Sequence, residues 1–90
     1  MIYCQSLATS LKVGSMSRLR RDTTFNAVAS KSYHNVEADD LVMCVAIEQY
    51  KGAGESRPVT IVTCLLSNGQ LGDVRFSKVS IIPGVFERID

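Results

Sequence analysis

Ninety residues make one domain, near the lower end of what folds on a single core, and an apolar fraction of 46% excludes a disordered chain. No apolar run approaches the roughly 20 residues that a bilayer-crossing helix needs, which excludes a helical membrane anchor. The formal charge of +1 hides an asymmetry: residues 1–36 carry five basic side chains against Asp22 alone, net +4, whereas residues 37–90 carry five against eight acids, net −3.

Met1–Cys4 reads as a short strand, or as the start of a helix in which Tyr3, Leu7 and Leu11 form one stripe at i, i+4 spacing. Lys12-Val13-Gly14-Ser15 is a turn-like break. Met16–Leu19 then fits a strand, with Met16 and Arg18 on one side and Ser17 and Leu19 on the other. Asp22-Thr23-Thr24 offers N-cap residues, but the Phe25–Ala29 run after it is short for a helix. Ser30–Asn35 is polar and loop-like. Residues 1–38 are thus a basic, less regular segment, and residues 39–90 carry the β core of the same domain.

That core opens with Leu41–Ile47, apolar at odd and even positions alike, as a strand covered on both faces would be. Lys51–Arg57 holds two glycines and three charges, so it is expected as an exposed loop. Pro58 suits the first position of a strand, where no ladder donor is needed. Val59–Leu66 is again apolar on both faces. Asn68-Gly69 then predicts a type I′ hairpin turn, because both residues tolerate φ > 0. In the following strand Val74 and Phe76 point one way, Asp73 and Arg75 the other, and Gly72 suggests a bulge. A break at Ser77-Lys78 leads to a final strand, Val79–Ile82. Pro83-Gly84 is a turn, and Val85, Phe86 and Ile89 give the tail apolar surface with which to dock.

The order of strand, long loop, strand, Asn-Gly hairpin, strand, short break and final strand resembles the SH3-like small barrels. In that family a tight distal hairpin precedes a strand, and a one-turn 3₁₀ step leads to the last strand. The resemblance runs from about Val13 to Ile82, with Leu41–Ile82 as its core. Leu65–Val74 followed by Val79–Ile82 is similar to the ends of short phage and bacterial proteins with this barrel. Peptide-binding SH3 domains carry aromatic pairs and a Trp; this chain has no Trp, so their proline-peptide function is not implied. The fold expected is mainly β, a small SH3-like barrel or curled antiparallel meander with an irregular or short-helical N-terminal third.

Chemistry is sparse. His34 is the only histidine and is distant in sequence from Cys4, Cys44 and Cys64, so no Cys–His nucleophile pair is expected. There is no C-x-x-C pair, and Glu37, Asp39 and Asp40 read as a solvated acidic cluster and not as metal ligands. Lys51-Gly52-Ala53-Gly54 lacks the spacing of a phosphate-binding loop. No catalytic residue, cofactor or metal is therefore expected.

Cys44 and Cys64 sit in apolar strands, where a free thiol behaves as a small hydrophobe, and with no secretory signal they suggest a reducing, cytoplasmic setting. The acid-free, Arg-containing stretch Met1–Arg21 has the composition of a mitochondrial transit peptide as the competing reading. Two groups remain as candidates for partner binding. Arg18, Arg20 and Arg21 suit an anionic partner. Tyr33, with Tyr50, Lys51 and Arg57 of the long loop, offers the Tyr and Arg anchors usual at protein interfaces. The expectation is a non-enzymatic protein-interaction module, a phage or bacterial accessory protein or inhibitor that occupies a surface of a larger host protein. The alternatives are a nucleic-acid-binding barrel that holds DNA or RNA through Arg18–Arg21, and a subunit of a homo-oligomer whose two-sided strands are covered by another copy. No membrane partner is expected.

Overall fold

The computed structural model describes residues 2–4, 11–50 and 58–89. Its strands are β1 (Ile2–Cys4), β2 (Met16–Leu19), β3 (Thr23–Ala27), β4 (Tyr33–Val36), β5 (Leu41–Tyr50), β6 (Val59–Leu65), β7 (Leu71–Phe76) and β8 (Phe86–Arg88), with a 3₁₀ helix at Val79–Gly84 before the last. All pairings are antiparallel. The sheet runs β4-β3-β7-β6-β5-β2-β8, with β1 also pairing β5.

Curvature follows from chain length alone. Leu19 at the end of β2 and Thr23 at the start of β3 are four residues apart, a reach of about 14 Å at most. Yet β7, β6 and β5 lie between those strands in the sheet, and four strand spacings in a flat sheet would take about 19 Å. The sheet is therefore curled into an antiparallel half-barrel. Its inner face holds the core: Leu19, Phe25, Val42, Ile47, Val62, Ile82 and Phe86 are all buried. Phe76 and Phe86 meet edge to face with ring centres 6.0 Å apart, which ties the last strand back onto β7.

The N-terminal third takes the irregular form, as short strands joined by bends, with no helix among its described residues. Met16–Leu19 is a strand with the expected faces, Ser17 and Leu19 inward. The loop expected at Ser30–Asn35 is partly replaced by β4, because Phe25 and Thr23 on β3 offer a ladder to His34 and Val36. The Lys51–Arg57 loop lies outside the described residues.

Three local expectations are corrected. The hairpin at Asn68-Gly69 is not type I′: only Gly69 has positive φ, at +81°. Gly69 N donates to Leu66 O and Leu66 N to Gln70 O, so the loop has three residues, a type I turn closed by a left-handed glycine. Asn68 instead uses its side chain, Oδ1 accepting from Gln70 N at 2.9 Å. The bulge falls in β5, between Cys44 and Ala46, and not at Gly72. Gly72 is needed for another reason: a Cβ there would lie 2.7 Å from Phe25 Cβ. Finally, Val79–Ile82 is 3₁₀ helix and not strand. The chain must turn there to bury Ile82 and return Phe86 to the core, and Pro83 could give no ladder donor.

Candidate interaction surface

Side chains alternate across a strand, so the residues of β5, β6 and β7 that miss the core line the convex outer face. One cross-strand row of that face is apolar throughout. Val28 N donates to Leu71 O beyond the end of β3. Leu71 then pairs with Leu65, Leu65 with Met43, and Met43 with Met16. Ile89 N donates to Met16 O and completes the row. Followed around the curve of the sheet at strand spacing, the row runs for about 24 Å. Val28 is 51% exposed, Leu71 42%, Leu65 38% and Ile89 42%, while Met43 and Met16 between Leu65 and Ile89 are half-buried. Leu41 and the bulged Val45 widen this ridge on β5. Contiguous exposed apolar patches are rare on monomeric folds, and a large one commonly serves as a packing surface.

The three arginines expected to act together are divided. Arg18 and Arg20 converge on one acid: Glu87 Oε1 is 4.0 Å from Arg18 and Glu87 Oε2 is 3.2 Å from Arg20. Pairing of Arg18 with Glu87 across β2 and β8 puts the two side chains on the same face by register. Arg20 also donates from Nε to Pro83 O at 2.8 Å, which fastens the end of β2 to the 3₁₀ helix. Half of this pair's positive charge is thus offset locally. Arg21 sits past the corner and lines a groove beside β3 and β7. Lys12 lies ahead of β2 and Lys31 in the bend between β3 and β4.

Tyr33 stands exposed at the start of β4, the edge strand, and Tyr50 exposed at the end of β5. Three strands separate β4 from β5, so these rings belong to different parts of the surface. Lys51 and Arg57 lie outside the described residues.

His34 is on β4, in register with Phe25, while Cys44 and Cys64 are buried free thiols on β5 and β6. Desolvation by burial pushes the Cys44 thiol up to about 11, and pushes Cys64 higher still, with the neighbouring Cys44 adding to the effect. Both are therefore protonated and poorly nucleophilic near neutral pH. Among the described residues no three metal-binding side chains cluster, and no helix is long and apolar enough to cross a membrane.

The outer ridge has a trace in the sequence. Met43 and Leu65 are the off-core positions of the two strands that read as apolar on both faces. Val28, Leu71, Met16 and Ile89 join them only through the sheet register, which no local pattern displays. Fold and surface together define a small, curled, all-β protein with an uncovered apolar ridge. No protein-family model matches the chain, and no curated protein or solved structure matches it either.

Proposed function

We propose that the protein is a non-enzymatic interaction module that acts by seating its outer ridge on an apolar surface of a larger protein. The observation that carries this reading is the continuous apolar Val28–Leu71–Leu65–Met43–Met16–Ile89 row, exposed at Val28, Leu71, Leu65 and Ile89 and half-buried at Met43 and Met16. Burying it would release ordered water from about half a dozen apolar side chains, a gain no solvated monomer makes. The polar rim, Arg18 and Glu87 on one side and Asp73 with Asn26 on the other, can fix the orientation of docking.

The half-barrel is read as SH3-like on the strength of its hairpin between β6 and β7 and the 3₁₀ step before the last strand. That resemblance favours a phage or bacterial accessory protein working in a reducing cytoplasm, where Cys44 and Cys64 stay as thiols. The pairing of Arg18 and Arg20 with Glu87 weakens the case for nucleic acid, since both guanidiniums already face a carboxylate.

The test is capture of partners from host lysate by the wild-type chain and by Leu65→Glu and Leu71→Glu, with light scattering of each. A stoichiometric protein held by wild type and released by both variants supports the reading. Equal capture by all three rejects it. A wild-type dimer that the variants convert to monomer would instead assign the ridge to a second copy of the chain.

A further inference from the structure

A second surface lies apart from the ridge, where β3 and β7 part company. Their ladder begins with Val28 N donating to Leu71 O and continues through Ala27–Gly72 to Asn26–Asp73, where it stops. On the other side β7 stays paired with β6 through Phe76. The splayed strands leave a groove of about 340 Å³, within the range of about 300–1,000 Å³ typical of ligand sites.

Register identifies what the groove presents. In an antiparallel ladder the N–H and C=O of every second residue point to the same neighbour. Val28 and Leu71 bond across this seam, so Asn26 and Asp73 do also, and the next residues in turn are Thr24 and Arg75. Their backbone donors and acceptors point into the groove, beyond the last β3–β7 pair. An open strand edge of this kind is a template for another strand. Half-buried Val74 and exposed Ile81 line its apolar side.

Charge selects the occupant. Arg21 and Arg75 both line the groove and both are exposed, and among the described residues neither has an acidic partner. Asp22 also lines it, but its carboxylate is turned to the β4–β5 side, accepting from Ala38 N at 2.8 Å. We propose that this groove binds an extended acidic peptide segment by strand addition to β7, with backbone pairing at Arg75 and carboxylates met by Arg21 and Arg75. Alternation along such a strand sends one set of side chains toward Val74 and Ile81 and the other toward the arginines. This site is independent of the outer ridge and stands or falls without it.

The experiment uses the isotope-labelled full chain titrated with three short capped peptides and, separately, with a short single-stranded RNA, followed by amide resonances. One alternates valine and glutamate, one alternates valine and lysine, and one is the acidic peptide N-methylated along its central residues. The acidic peptide should give saturable shifts at Thr24, Arg75 and Ser77, and the other two should not. Arg75→Glu should weaken the acidic peptide by about tenfold and admit the lysine peptide in its place. Leu65→Glu should leave the affinity unchanged. Equal binding of the N-methylated peptide would reduce the site to an anion site and overturn strand addition. Indifference to Arg75→Glu, absence of saturable shifts, or tighter binding of a short RNA at the same amides would overturn the proposal as well.

Discussion

Cys44 and Cys64 face each other across β5 and β6 as directly opposed residues on the core side of the sheet. Cys44 N donates to Ser15 O and Cys44 O accepts from Gly14 N, so its backbone bonds point to the β2 side and away from β6. The pair therefore occupies a non-hydrogen-bonded site, where opposed Cα atoms approach to about 4.5 Å and side chains lie closest. Both side chains are buried in the hydrophobic core.

Burial of both thiols has a consequence for pH. A thiol whose pKa is raised on folding contributes stability that is complete below the unfolded value and is lost as pH climbs through the folded one. For Cys44 that window runs from 9.0 to about 11. Wild type should lose more stability across it than a Cys44→Ala/Cys64→Ala variant, as measured by urea unfolding at each pH. At neutral pH both thiols should resist iodoacetamide and label within the same time in denaturant, read by mass spectrometry of the tryptic peptides.

Gly72→Ala tests the close approach of β3 to β7. The new methyl would lie 2.7 Å from Phe25 Cβ and 3.1 Å from Leu66 Cδ1. Phe25 Cβ is fixed to its backbone, so the strand itself has to move. A loss of about 1–3 kcal/mol in chemical denaturation is expected. Unchanged stability would mean that β3 does not pack on β7 in this way.

Ser17 is buried on β2, and its Oγ has no hydrogen-bond partner among the described residues. Ser17→Ala removes an unsatisfied hydroxyl and leaves the shape nearly intact. It should raise stability by up to about 1 kcal/mol, visible as a higher urea midpoint with an unchanged slope. A clear loss would show that the hydroxyl is satisfied in solution.

Arg18 and Arg20 share Glu87 but should differ on truncation. Arg18→Ala removes one exposed pair at 4.0 Å, which costs little. Arg20→Ala also removes the Nε bond to Pro83 O that holds the 3₁₀ helix to the end of β2. It should cost about 1 kcal/mol more, and should speed amide exchange at Val85. Equal effects of the two substitutions would contradict the fastening role.

The β class was legible because its signals are local. β-branched runs at Leu41–Ile47 and Val59–Leu66, Pro58 before a strand and a glycine in the hairpin each act within a few residues. Met16–Leu19 could be given its faces for the same reason, since Ser17 and Leu19 alternate with Met16 and Arg18. The misreadings share a cause as well. Gly72 carries no local mark of Phe25 on a strand 47 residues away, and Val79–Ile82 has strand composition but must turn to place Phe86 against Phe76. β4 exists because β3 offers it a ladder, not because Ser30–Asn35 has a strand pattern.

Sequence by itself determined that this chain is a small β protein and where its central strands and turns fall, because period-two alternation and turn chemistry are written residue by residue. Only tertiary structure decided which side chains share a surface. Strand register, set by burial of one face, aligned Val28, Leu71, Leu65, Met43, Met16 and Ile89 into one ridge. It drew Arg18 and Arg20 onto Glu87 and left Arg21 and Arg75 lining the same groove between β3 and β7.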